Sequence, residues 1–469
     1  MRTECIQSSF AFHQLGRREV IARFDGGDIT TDAGGLLLRQ VDGQCRILSR
    51  FAHCFTDHRK AEQTEHTLES LIAQRVYGLA LGYEDLNDHD QLRSDPLMAL
   101  LAGKPDPKGE DRRRASDRGK ACAGKSTLNR LELTAAEVKP EEKYKKIIMH
   151  EAAIDDLLID IFLEAHAEVP AQIVLDLDDT DDPVHGNQEG RFFHGYYRQY
   201  CYLPLYIFCG EHLLCARLRP SNIDSAAGAL EEVQHIVTRI RDLWPEVRIA
   251  LRGDSGFCRD RIMSWCEANN VQFVFGLAKN KRLNRIIGGE LHRAKQEFEQ
   301  TGKAARVFAD FRYRTKKSWS AERRVVGKAE HLEKGPNPRF VVTSLSADEM
   351  DGRACYEDFY CARGEMENRI KEQQLALFAD RTSTALMRSN QLRLYFSSIA
   401  YCLMQALRRL GLKGTEMAQA QCGTIRLRLL KIGAQIRISV RRVWISMSSG
   451  FALTAIFQRV YQNLLPQPR

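Results

Sequence analysis

The chain has 469 residues, 43% hydrophobic and 28% charged, with a formal net charge of +8. That length exceeds one ordinary folding unit, and the composition is globular, which excludes fibrous and low-complexity disordered classes. Thirteen cysteines form no C-x-x-C pair, arguing against zinc-ribbon and thioredoxin-like chemistry, while the positive charge suits a polyanionic partner.

No charged-then-apolar leader pattern opens the chain and no apolar run reaches transmembrane length, so no membrane partner is expected. Scattered thiols fit a reducing compartment, and a cytoplasmic protein is expected. Residues 1–150 read as a mainly helical N-terminal region. Thr30, Thr31 and Asp32 are placed to cap a helix through Gly35, Leu36, Leu37 and Leu38. Leu68, Leu71, Ile72, Val76, Leu79 and Ala80 keep helical spacing from Thr67 to Leu81. The acidic run that follows, with Glu84, Asp85, Asp88, Asp90 and Asp95, reads as caps and turns before it reads as a metal loop. A linker over 104–125 carries Arg112, Arg113 and Arg114 among prolines and glycines; it is expected to be mobile and to lie against phosphates. Gly119 to Ser126 matches the P-loop pattern. DRRRASDR precedes it where a buried strand is required, so no nucleotide cofactor is expected.

From about residue 170 the pattern changes to that of strands. Ile173, Val174, Leu175 and Leu177 form an apolar run that carries Asp176 and Asp178 on one face. Carboxylates at the end of a buried strand need something positive beside them. Tyr200 to Cys209 and His212 to Leu218 read as a hairpin, and Ser225 to Trp244 as a helix. VRIALRGDSGF, from Val247, is a strand ending at Asp254; a short helix near 259–268 and a strand over 271–277 follow. The segment 281–339 is basic, with Arg312, Arg314, Lys316, Lys317, Arg323 and Arg324 around Tyr313 and Trp319. Such a surface can follow a phosphate backbone and stack on an unpaired base; a solvated hairpin with Trp319 over its own small core is the alternative. Glu367 lies in a helix-like stretch, YCARGEMENRIKE, and a long helix is expected over 392–410. Near the end, two strands turning at Gly433 would put Arg426, Arg428, Arg437 and Arg441 on one outer face, open to DNA or simply solvated.

An Asp on one strand, an Asp at the end of another and a Glu on a late helix can hold two Mg²⁺ ions. Such a pair clamps the attacking and leaving oxygens of a phosphodiester displacement. The same residues carry a resemblance. Asp178-Asp179-Thr180, RGDSGF at 252–257 and Tyr360-x-x-Arg363-x-x-x-Glu367 resemble insertion-sequence DDE transposases. With YEDLNDHDQLRSDP at 83–96 and FGLAKN at 275–280, the chain is most similar to the IS thirteen-eighty family of the IS-four-like group.

The resemblance implies an α/β fold: a ribonuclease H-like mixed sheet with flanking helices, split over 165–280 and 340–412. It implies a β-rich insertion at 281–339, a basic strand and helix segment at 413–469, and element-end binding by residues 1–150. Asp178, Asp254 and Glu367 would be catalytic and metal-binding, with Mg²⁺ as cofactor and Mn²⁺ able to substitute. Asp176 competes with Asp178 for the first position. Tyr360 and Arg363 would contact DNA, as would Arg314, Lys316, Lys317 and Trp319 on the insertion. The group often has a Lys seven residues after its Glu; here that position is Gln374, and Lys371 lies on the same helical face. Double-stranded DNA, as element ends and target, is the expected partner, bound by a homodimer on paired ends. A metal-dependent nuclease without strand transfer and a catalytically silent DNA-binding derivative are the alternatives.

Overall fold

The computed structural model describes residues 9–139, 141 and 144–466. The chain forms two compact units, a first that joins Met1–Met149 to Ile399–Arg469 and a second of His150–Ser398. No helix among the described residues is long and apolar enough to cross a membrane.

In the first unit the central element is the helix Leu68–Leu81. Thr67 caps it by accepting from the Ser70 N–H at 3.2 Å, and Gly82 at φ 95° ends it. Nearly every residue is buried, polar ones included, so this helix is enclosed on all sides and has no solvated stripe. Buried Arg75 is matched by buried Glu132 at 2.8 Å. The helix Gly35–Cys45 forms as expected, but its cap differs: Gly34 precedes it, without a side-chain cap. A Cβ at Gly34 would stand 2.4 Å from Leu429 O and from Leu430 Cα, so only glycine lets the two backbones approach. Thr30 donates to Asp95 instead, and Asp32 accepts from the Tyr83 hydroxyl and pairs with Lys431.

The C-terminal residues complete this unit. Strand Ala434–Ile438 pairs with both Asp28–Thr30 and Val443–Met447. The expected first strand of that region is instead the helical turn Cys422–Ile425 and its continuation. Arg426 is buried and donates to the carbonyls of Leu79 and Ala80, so it belongs to no outer face. The segment 104–125 also differs from a mobile linker. Ala121, Cys122 and Ala123 are buried, and Gln74 bonds both the N–H and the carbonyl of Ala123. In the P-loop-like stretch no strand precedes the glycines, the Lys125 N–H donates to Asp90, and its ammonium faces Asp90 and Asn87.

The second unit is built on one large mixed sheet. Its strand order is His212–Arg217, Leu205–Cys209, Gln172–Asp179, Arg248–Gly253, Gln272–Leu277, Arg339–Thr343, Arg323–Leu332 and Ala305–Tyr313. Gln172–Asp179, Arg248–Gly253 and Gln272–Leu277 run parallel, and the strands outside them antiparallel. Helices Glu151–Glu164, Ala229–Leu243 and Asp260–Ala268 supply Phe162, Val233, Ile240, Ile262 and Met263 to a core with Leu175, Leu251 and Phe273. The segment 281–339, expected as a β-rich insertion, carries helices as well as strands. It opens with helices Lys281–Ile286 and Gly288–Thr301, and its two long strands extend the main sheet. The late helix runs Met387–Ala406.

Candidate active site

Parallel strands place the acidic residues. Gln172–Asp179 and Arg248–Gly253 are in register, with Leu177 beside Gly253, so Asp178 and Asp254 follow at the same carboxyl edge. Such edges of parallel sheets are where open α/β folds bind ligands. Asp254 Oδ1 accepts from the Gly256 N–H at 2.7 Å, which sets a tight turn out of the strand. Glu367 stands in the first turn of the helix Gly364–Leu377. Arg363, one turn earlier, joins the elements: it donates to Asp178 Oδ2 at 3.0 Å and to Glu367 Oε1 at 2.8 Å.

The charges at this point are crowded. Burial, then Asp254, Asp179 and Glu367, push Asp178 up to about 7, with Arg363 opposing. Burial disfavours the charge on Arg363, but Asp178, Tyr360 and Glu367 outweigh it and raise its pKa. Tyr360 lies against the same turn. A Cβ at Gly276 would stand 2.6 Å from its hydroxyl oxygen and 3.0 Å from the Ser255 nitrogen, so glycine is needed for that approach. Among the described residues no three His, Cys, Asp or Glu side chains form a ready-made metal site.

The rest of the acidic run is divided among other roles. Asp176 is buried against Arg252, its neighbour across the strands, with contacts of 2.5 and 2.8 Å; Arg252 also donates to the Phe359 carbonyl. Asp176 and Asp178 thus share a strand face, yet Asp176 is consumed by an internal ion pair. Asp179 pairs with Arg219 at 3.2 Å, and Asp181 accepts from Gln199. Gln374 reaches the Asp181 carbonyl at 3.4 Å, and Lys371 is exposed one turn after Glu367.

The insertion's basic residues part company. Arg314, Lys316 and Lys317 are exposed around a turn, with Arg314 donating to the Trp319 carbonyl. Arg323 is buried against Asp260 and Glu267, and Arg324 against Asp310 and three carbonyls; neither meets solvent. Trp319 is corrected as well. It is 5% exposed, packs edge-on against Tyr313 at 5.8 Å and lies under Arg323, so its faces are closed to a base. Read from sequence, Tyr200 to Cys209 is one strand, which misses the hairpin that Gln199–Tyr202 forms with Phe192–His194, in which Phe192, Phe193, Tyr196 and Tyr200 are exposed. Its only sequence signal is aromatic density, FFHGYYRQY.

A family model described as transposase DDE domain, group 1, matches residues 12–469. No curated protein is similar at a significant level. Among solved structures, the chain is similar to a piggyBac transposase in a synaptic complex with hairpin DNA. The identity is 12%, the TM-score 0.43, and the match covers 94% of this chain and 86% of that one.

Proposed function

The chain belongs to the transposase DDE domain family, group 1, and on that premise we propose that it cuts element ends and joins them to target DNA. The observation that carries the proposal is the meeting of Asp178, Asp254 and Glu367 around Arg363 at the carboxyl edge of the parallel strands. We read the sheet as ribonuclease H-like. Three antiparallel strands, with two more running parallel to the first, support that reading.

Asp178, Asp254 and Glu367 would hold divalent ions, Mg²⁺ or Mn²⁺. The donor chemistry supports such ions: Asp178 and Asp254 share one carboxyl edge, and Glu367 is linked to Asp178 through Arg363. Bound there, such ions would supply the chemistry of activating a water and stabilising a leaving 3′ oxygen. Arg363 and Tyr360 are placed to take the phosphate beside the cut. The guanidinium fork suits two phosphate oxygens, and on turning to them it would release Asp178 and Glu367. Asp176 holds the strand that carries Asp178 and stays out of the chemistry.

Arg314, Lys316, Lys317 and Lys371 are exposed cations for the flanking backbone. In the first unit a cavity of about 960 Å³ is lined by Arg59, Lys60, Arg93, Arg112, Arg114 and Arg130 among others, and is a second place for DNA phosphates. Paired ends require two active sites, so a homodimer is the working form we propose. An insertion sequence of the IS thirteen-eighty type is its proposed source.

The test incubates the protein and Mg²⁺ with labelled duplexes bearing the ends of its own element. Cleavage with joining supports transposition, and cleavage alone a nuclease. Binding without either supports the silent derivative. Asp178→Asn, Asp254→Asn and Glu367→Gln should each abolish cleavage and keep DNA binding. An active Asp178→Asn enzyme would overturn the site.

A further inference from the structure

We propose that the aromatic hairpin from Phe192 to Tyr202 is a stacking platform for an unpaired DNA base beside the phosphodiester being cut. The inference rests on the transposase reading above and assigns it a part that Trp319, buried in the core, cannot play.

The hairpin has a fixed base and an open tip. Asp182–Pro183, only four residues beyond Asp178, pairs with Gln199–Tyr202, which pairs with Phe192–His194. Cys201 and Tyr202 are buried, and the Tyr202 hydroxyl donates to the Glu189 carbonyl at 2.6 Å and accepts from Asn390. Gln199 holds Asp181 at 2.5 Å. Beyond that anchor the rings are open: Phe193 is 57% exposed, Tyr196 84%, and Phe192 and Tyr200 more than two-fifths. Phe193 and Tyr200 meet edge-on at 5.6 Å on one face of the ribbon, with Tyr196 open at the tip, and exposed rings grouped in this way mark a binding surface.

The chemistry of the patch selects the occupant. Arg191 lies 4.6 Å over the Tyr200 ring, Arg198 is exposed at a left-handed turn with φ 56°, and His194 stands beside Tyr197. Flat faces alternating with cations match bases alternating with phosphates. The position selects the strand. Tyr197 lies edge-on to Tyr196 at 5.1 Å, and its phenol is pushed up by burial and then by Asp179, Asp181 and Asp178. The ribbon's own contacts fix its place: Gln199 donates to Asp181, three residues beyond Asp178, and Asp182–Pro183 pairs with the same strand. A strand whose phosphate is at Asp178 passes the hairpin tip, and a base unpaired there can leave the duplex onto a ring.

The experiment compares two fluorescein-labelled DNAs in EDTA, a duplex and the same duplex with one unpaired nucleotide, by anisotropy with the full-length protein. Tyr196→Ala and Phe193→Ala should weaken binding of the unpaired substrate by about 5- to 150-fold. Duplex affinity and melting temperature should stay as they are, and Tyr196→Trp should restore the preference. Equal affinities of wild type and alanine variants for the unpaired DNA would overturn the platform, as would an equal loss on both DNAs. If the wild type binds neither DNA, the transposase reading itself fails, an outcome distinct from the other two.

Discussion

The ion pair of Asp176 and Arg252 separates structure from chemistry at this site. Asp176→Leu removes contacts of 2.5 and 2.8 Å and leaves Arg252, 8% exposed, with only the Phe359 carbonyl and ring beside it and no counter-charge in hydrogen-bond contact. Arginine cannot shed its proton, so the stranded charge persists. Breaking a buried pair in this way costs about 3–5 kcal/mol. The second unit spans 249 residues, from His150 to Ser398. At that size each kcal/mol moves the midpoint by about 2–4 °C, so its transition should fall by about 6–20 °C. Arg252→Leu should cost less. Burial already raises Asp176, and without Arg252 it can take a proton and become neutral. The double variant with leucine at both positions should recover most of the loss, since apolar replacement of a buried pair is often neutral or better. Calorimetry of the four proteins, with cleavage measured well below the lowest transition, provides the assay. Asp176→Leu should melt early yet cleave when folded. A protein with an unchanged transition and no cleavage would make Asp176 a catalytic ligand and refute the reasoning.

Three further outcomes follow from the geometry. Trp319→Ala opens a void in the core of the second unit and should cost about 3–5 kcal/mol, read as a lower melting temperature with every reaction step reduced together; a stable variant that stalls only in end processing would contradict this. Lys125→Ala loses an exposed pair with Asp90 at 3.5 Å and should change stability by less than about 1 kcal/mol, leaving cleavage independent of ATP; ATP hydrolysis that vanishes in the variant would contradict it. Asp178 titrates near 7 in the folded chain against 3.8 ordinarily, so between those values the folded form holds the proton more tightly than the unfolded one. In EDTA, stability should therefore fall as pH rises from 3.8 to 7, and Asp178→Asn should flatten that part of the melting profile.

Much of the second unit was legible because its signals are local. Apolar runs of strand length ending in Asp178 and Asp254 need only the pleat and the chain order to be read, and the strands appear at Gln172–Asp179 and Arg248–Gly253. Leu68–Leu81 was legible for the same reason, from spacing, a threonine cap and a closing glycine. What the sequence left open concerns which neighbour a side chain meets. Asp176 and Asp178 have the same face; the D-x-T match favoured Asp178, and the register that sets Arg252 beside Asp176 is a difference no local pattern displays. The basic run around Arg323 and Arg324 looked solvated until its strand joined the sheet between two others, where Asp260, Glu267 and Asp310 neutralise it. Trp319 turned inward and the rings of Phe193 and Tyr196 outward, although all three are aromatics among cations. Sequence thus determined the elements and the carboxylates they carry, because backbone preference and periodicity act over a few residues. Burial and charge pairing were decided by the tertiary structure, since both depend on partners that lie far apart along the chain.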